Sequence, residues 1–272
     1  MSARHHDTQT KAPVLEVTGL TKAFGAVQAL SGADLVCPRG EVTALVGDNG
    51  AGKSTLIRCI TGVHPFDDGE VRFNGEPVRL SSPTEARARG IETVYQDLAL
   101  VEDLTVWQNM FLNRELKRGI GRFGMLDRRR MIAESQSRLE RLLVNMPPVR
   151  SRVRRLSGGQ RQSIAIGRAA SWGSTLVIMD EPTAALGVRE RESVEQLIGR
   201  LRDDHIAQLI ISHDLEQVMR VADTVWIMRR GTTIAHWRVA DVSRERIVAA
   251  ITGADGGNHR ATTAEAPTTV VE

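Results

Sequence analysis

The chain has 272 residues, 41% hydrophobic and 25% charged, which is enough for a sizeable core in an ordinary soluble α/β protein. Its 36 basic and 33 acidic residues nearly cancel to a net charge of +3, so charge gives no basis for a nucleic-acid partner. No apolar run reaches the length of a membrane span, and "MSARHHDTQTKAP" lacks the apolar core of a signal peptide. Any work at a membrane is therefore expected to go through a partner or the membrane surface.

Residues 1–12 are polar and residues 254–272 are rich in Gly, Thr, Ala and Glu, so both ends are expected to be flexible tails around a body at 13–253. "VLEVTGLTKAF" and "VQALSGADLVC" read as strands. Cys37 and Cys59 have neither CxxC spacing nor a His cluster and read as small buried hydrophobes in a reducing setting. "EVTALVG" is a short apolar strand followed by the helix "KSTLIRCITGV". "GEVRFNGEPVRL" predicts a hairpin turning at Asn74-Gly75. "SSPTEARARG" predicts a short helix with Ser82 as cap, Pro83 in first place and Glu85 completing a capping box. "IETVYQ" is a strand.

The middle is helical. "DLTVWQNMFLNRE" and "DRRRMIAESQSRLERLLVNM" are expected as helices capped by Thr105 and Asp127, the second placing Met131, Leu139, Leu142 and Leu143 near one face. "LSGGQRQSIAIGRAA" is a third helix, and residues 97–172 read as an α-helical subdomain inserted into the α/β body. The basic stretch "RELKRGIGRFGMLDRRR" reads first as a solvated loop, with contact to lipid headgroups or a permease as the sharper alternative. The strand "STLVIMD", the helix "RERESVEQLIGRLRDD", the strand "AQLIIS", the helix "LEQVMRVA" and a hairpin turning at Arg230-Gly231 complete the chain.

Two motifs carry chemistry. "GDNGAGKST" fits G-x-x-x-x-G-K-[ST] between an apolar strand and a helix. Gly47, Gly50 and Gly52 let the backbone amides of a loop that also holds Asp48, Asn49 and Ala51 curl around a phosphate. Lys53 offers a point charge, Ser54 a hydroxyl for Mg²⁺, and Thr55 a contact to the inner phosphate. At the end of "TLVIMDEP", Asp180 is placed to hold Mg²⁺ through water and Glu181 to polarise an attacking water. The pair points to hydrolysis of a nucleoside triphosphate.

"LSGGQ" opens a helix with two glycines, among the poorest helix formers. With "GDNGAGKST", "VIMDEPTAAL" and "IISHD" in this order, the chain over about residues 14–253 resembles the nucleotide-binding subunit of an ATP-binding cassette (ABC) transporter. The resemblance implies a P-loop cassette with a mixed central sheet, an antiparallel β subdomain and the helical insert. It implies ATP and Mg²⁺ as cofactors, and two cassettes closing head to tail so that Ser157, Gly158, Gly159 and Gln160 of one meet the γ-phosphate held by the other. The two glycines then expose amides with no Cβ in the way; Ser157 and Gln160 are also spaced to cap their own helix.

By the same resemblance, Phe24 stacks on adenine (core packing being its alternative), Gln96 reaches Mg²⁺ and the water, and His213 contacts the γ-phosphate. The implied catalytic set is Glu181, His213, Gln96 and Lys53; the implied metal set is Ser54, Gln96 and Asp180. One departure is Gly187, where the family usually has Asp in a loop crossing the dimer interface. "EPTAALGVRE" and "IETVYQDLALVEDLTVWQNMFLNRE" resemble the monosaccharide-importer branch. That branch implies permease subunits as partners, a second copy of this chain or a paralogous cassette, and indirectly an extracytoplasmic sugar-binding protein. It also places the chain at the cytoplasmic face of the membrane. The alternatives are a soluble cassette of DNA repair or translation control, or a phosphate-loop kinase, which would leave "LSGGQ" unexplained.

Overall fold

The structure, a computed structural model, describes residues 12–118, 124–142, 146–184 and 186–254. Most of the two expected tails, Leu143 and the middle of the basic stretch lie outside them.

The chain opens with β1 (Leu15–Phe24) and β2 (Val27–Cys37), an antiparallel pair that alternates buried and exposed side chains. β3 (Val42–Val46) is buried throughout, as a central strand covered on both faces must be. The loop after it leads into α1 (Lys53–Ile60), which stops earlier than expected because Gly62 takes a left-handed φ of 72°. β4 (Asp68–Phe73) and β5 (Glu76–Pro77) form the expected hairpin, with Asn74 and Gly75 both at positive φ. α2 (Pro83–Ala88) is capped by Ser82, whose side chain accepts the Glu85 N–H. The capping box does not close as expected. The Glu85 carboxylate instead accepts the N–H and O–H of Ser81, one residue earlier, and these bonds hold its carboxyl below the usual range. β6 (Ile91–Val94) follows.

The first middle helix is shorter than its sequence pattern. α3 (Val106–Met110) ends where Phe111 turns edge-on to Trp172, 5.0 Å between centroids, and Asn113 enters the left-handed region. The basic stretch contributes a small ribbon, β7 (Lys117–Arg118) against β8 (Met125–Leu126). α4 (Arg128–Leu142) is capped by Asp127, which accepts the Arg130 N–H. α5 (Gly158–Ala170) starts from Ser157. The remainder is β9 (Leu176–Asp180), α6 (Val188–Asp203), β10 (Ala207–Ile211), α7 (Leu215–Val221), β11 (Thr224–Arg229), β12 (Thr232–Arg238) and α8 (Arg244–Thr252).

Among the described residues, β2-β1-β4-β5 make an antiparallel sheet and β12-β11-β3-β10-β9-β6 a mixed one, parallel except for β12. α1 and the antiparallel sheet share one apolar core with one face of β3, β9 and β10. α3 to α6 cover the other face: Met131, Leu139 and Ile164 pack in one cluster with Val94, Val177 and Met179. Burial raises the Cys37 thiol to about 12 and the Cys59 thiol to about 11, so both behave as core residues.

Candidate nucleotide site

Register places the site. Leu45 of β3 pairs with Ile211 of β10, Ile211 with Asp180 of β9, and Met179 with Val94 of β6. The carboxyl ends of four adjacent parallel strands therefore carry, in a row, the Gly47–Thr55 loop, His213, Asp180 with Glu181, and Gln96. Ligands of open α/β sheets sit along such an edge.

The loop is shaped by close approach. A Cβ on Gly47 would collide with the Met228 carbonyl oxygen, and one on Gly52 would stand 2.8 Å from the Ala29 oxygen. Gly47, Gly50 and Gly52 all take positive φ. Asp48, Asn49 and Gly50 form the exposed tip, while Ala51 is buried and anchors the base. Ser54 is exposed and Thr55 half-buried on the first turn of α1. The Lys53 ammonium folds back to donate to the Gly47 oxygen at 2.5 Å and the Asp48 oxygen at 3.0 Å. Burial lowers its pKa, and the charges of Glu181, Asp180 and Asp48 pull it back up. The same field acts in reverse on Asp180, whose carboxyl is raised by burial and by Glu181, against Lys53. These groups therefore form one electrostatic unit.

Glu181 continues β9 into a turn, its N–H bonded to the Ile211 oxygen at 2.9 Å, yet its φ is +53°. A left-handed glutamate is a strained position, and such residues gather at functional sites. Its side chain is 18% exposed and meets His213 Nδ1 at 2.8 Å; the His213 side chain is 76% exposed. Gln96 is exposed in the turn just past β6. Phe24 lies at the end of β1, 44% exposed, so it is not a core residue. Its ring meets His64 edge-on at 5.2 Å, and Lys22 stands 5.4 Å from its centroid. Lys22 is itself tied to Asp67 at 2.8 Å, and Asp67 also accepts the Ala23 N–H. This support for Phe24 had no signal in the sequence reading.

The "LSGGQ" end lies in a different place. Ser157 and Gln160 close a capping box: Gln160 N–H donates to Ser157 Oγ at 3.3 Å and Ser157 N–H to Gln160 Oε1 at 3.1 Å. The two glycines differ. Gly158 is exposed, and a Cβ there would make only an ordinary 3.4 Å contact with Leu186. Gly159 is buried, and a Cβ there would sit 2.6 Å from Glu190 Cβ of α6. Gly159 is therefore demanded by packing within this chain, whereas packing places no such demand on Gly158. The cavity beside Ser157, Gly159, Gln160 and Glu190 shares no residue with the cavity at Asp48, Asn49, Gly50 and Ala51.

A glycine-shaped phosphate loop and an acidic pair at the carboxyl edge of a parallel sheet define a phosphate-loop nucleotide-binding cassette. The ABC transporter family model matches residues 30–184. The chain is 45% identical over 246 residues to the fructose import ATP-binding protein FrcA of Rhizobium meliloti, covering 89% of this chain and 95% of that protein. It is 43% identical over 239 residues to the xylose/arabinose import ATP-binding protein XylG of Sulfolobus acidocaldarius, covering 88% and 94%. A solved ATP-binding cassette of an ABC transporter in its ADP conformation superposes with a TM-score of 0.73 at 27% identity, over 88% of this chain and 95% of that one. The chain belongs to the ABC transporter family and is one of its ATP-binding, ATP-hydrolysing cassettes.

Proposed function

We infer that this chain powers the import of a monosaccharide through a membrane permease, working as a head-to-tail pair of cassettes. The observation that carries the pairing is the separation just described: the phosphate loop and the Ser157 helix end belong to different cavities of one chain. A nucleotide in the loop then needs a second cassette, a copy or a paralogue, to bring Ser157 and Gly158 to its γ-phosphate. The sugar class rests on the named relatives, fructose and xylose/arabinose import proteins, which favour import over a repair or translation cassette.

In this reading Lys53 and the amides of residues 47–55 grip the β- and γ-phosphates, and Phe24 stacks on the base. The donor set at Ser54, Gln96 and Asp180 fits a Mg²⁺ that arrives with the nucleotide, because a single carboxylate with two neutral oxygens needs phosphate ligands to complete it. Bound Mg²⁺ would neutralise charge developing on the phosphate oxygens. Glu181 takes a proton from water as the water oxygen bonds to the γ-phosphorus and the bond to the ADP oxygen breaks. His213 holds Glu181 before nucleotide arrives and turns to the γ-phosphate afterwards.

The cleft between β6 and the helical layer is lined by Arg87, Glu92, Tyr95, Arg114, Arg168 and Trp172 and lies beside Gln96. It is the proposed seat of the permease, which would place the chain at the cytoplasmic face of the membrane. No helix among the described residues is long and apolar enough to cross one. The test is co-purification: tagged protein should bring down a polytopic membrane protein and support ATP-dependent sugar uptake in proteoliposomes. Recovery of ribosomes or DNA instead would overturn the import reading.

A further inference from the structure

The ribbon of β7 and β8 in the basic stretch covers nothing. Lys117, Arg118, Met125 and Leu126 are all exposed, Met125 at 79% and Leu126 at 47%. The register sets Lys117 opposite Leu126 and Arg118 opposite Met125. Residues directly opposite share a face, and successive residues take opposite faces. Each face of the ribbon therefore places one cation beside one apolar side chain. Its foot is tied down: the Asp127 N–H donates to the Leu116 oxygen at 2.8 Å, and Leu116 packs against the core of the helical layer. A two-stranded ribbon with no packed face is marginal in water, so a surface that covers this one would also stabilise it.

Charge says what that surface is. The neighbouring carboxylates are engaged locally: Glu115 accepts the Asn113 N–H and Asp127 the Arg130 N–H, both at 3.1 Å. Arg114 is paired with Glu92 at 2.6 Å and Arg130 with Glu134 at 2.8 Å. Lys117, Arg118, Arg128 and Arg129 are exposed and have no carboxylate partner among the described residues. Four free cations beside two exposed apolar side chains complement an anionic surface with an apolar layer beneath it. Long basic side chains reach phosphates while their stems and the apolar neighbours sink toward acyl chains. Location agrees. Leu112, Asn113 and Arg114 line the cleft proposed for the permease, and Lys117 lies three residues past Arg114. A permease seated in that cleft would bring its bilayer to this side of the chain.

We propose that the β7–β8 ribbon, with Arg128 and Arg129 at the start of α4, is a membrane-surface contact: its cations take anionic lipid headgroups, and Met125 and Leu126 enter the upper acyl layer. It gives the cassette a hold on the bilayer beside the permease, separate from the nucleotide site. The side on which the bilayer lies rests on the reading that a permease fills the cleft. Vesicle binding needs no permease, so the two can fail separately.

The experiment is co-sedimentation of the full chain with vesicles of phosphatidylcholine and phosphatidylglycerol in equal parts, beside vesicles of phosphatidylcholine alone. The wild type should bind the anionic vesicles, leave them as salt rises, and pass over the neutral ones. Lys117→Gln with Arg118→Gln should weaken binding by about 10–100-fold, the range for removing two basic residues from an anionic surface. Arg39→Gln with Arg238→Gln removes the same net charge from exposed positions on other elements and should leave binding nearly unchanged. Met125→Ser with Leu126→Ser keeps every charge and should weaken binding at least about threefold, because the apolar share of the contact is lost. ADP affinity and basal ATP hydrolysis should be the same in all three variants. No binding to the anionic vesicles, equal binding to both kinds, equal losses for the two charge variants, or full binding by Met125→Ser with Leu126→Ser overturns the proposal. A Lys117→Gln, Arg118→Gln protein that binds vesicles like the wild type but no longer brings down a polytopic membrane protein assigns the ribbon to the permease and overturns the lipid contact as well. Recovery of ribosomes or DNA beside intact vesicle binding strikes the import reading and leaves the lipid contact standing.

Discussion

His213 Nδ1 stands 2.8 Å from Glu181 Oε1, and the two residues follow the ends of neighbouring parallel strands, β10 and β9. The glutamate is the less exposed partner and is held at φ +53°. A strained, half-sheltered carboxylate oriented by an imidazole is an arrangement suited to a base that must point at one water. Glu181→Gln should lower phosphate release by about 10²–10⁴-fold, the range for losing a positioned general base, while nucleotide binding stays intact. A phosphate-release assay beside equilibrium binding checks both halves. Binding lost together with turnover would assign Glu181 to affinity instead.

Lys53 is predicted to matter for binding first. In the nucleotide-free chain its ammonium is tied to the Gly47 and Asp48 carbonyl oxygens and sits in the field of Asp180 and Glu181. Phosphate oxygens offer it stronger, charge-assisted partners. Lys53→Ala should weaken ATP binding by about 10–100-fold, the range for removing a hydrogen bond to a charged group. A fluorescent-nucleotide titration reads this directly.

Much of this was legible from sequence because the signals are local. The order of strands and helices, the Asn74-Gly75 turn and the caps at Ser82, Asp127 and Ser157 follow from residue types within a few positions of one another. What failed depended on distant partners. The early stop of α3 follows from Phe111 packing on Trp172, and the restriction at Gly159 follows from Glu190. α8 is the exception, an element with local signals that the expected elements do not include: Ser243 caps it and Gly253 ends it in the left-handed region. The row of candidate residues could be anticipated because each follows a strand. That they stand side by side needed the β3-β10-β9-β6 order, which no single stretch encodes.

Asp180 gives a pH signature. Burial first, then Glu181, raise its carboxyl above the usual range, with Lys53 opposing. A raised carboxyl binds its proton more tightly in the folded chain than in the unfolded one. The stability it contributes is present below the unfolded value and is lost as pH rises through the folded value. At neutral pH the charged group therefore opposes folding of the nucleotide-free protein. Asp180→Asn should raise the melting temperature at pH 7, by an amount on the order of 2 °C, and the gap to the wild type should narrow toward pH 4. The same variant should lose Mg²⁺-dependent hydrolysis. Calorimetry across pH, with a gap that is absent or reversed at pH 7, would refute the sign.

The glycine pair of "LSGGQ" is predicted to separate packing from recognition within two adjacent residues. A methyl on Gly159 would be forced to 2.6 Å from Glu190 Cβ, whose backbone is fixed in α6. Overpacking of this kind costs about 1–3 kcal/mol, so Gly159→Ala should lower the melting temperature measurably with or without nucleotide. A methyl on Gly158 meets Leu186 at 3.4 Å and needs no rearrangement. Alanine also suits a helix better than glycine by about 1 kcal/mol, so Gly158→Ala should fold at least as stably as the wild type. Its loss should appear only where a phosphate must approach the bare amide, as weaker ATP-driven dimerisation in the Glu181→Gln background. Thermal unfolding and light scattering on the two variants therefore give opposite orderings. Equal melting temperatures for both would remove the packing account of Gly159, and unimpaired dimerisation of Gly158→Ala would remove the approach account of Gly158.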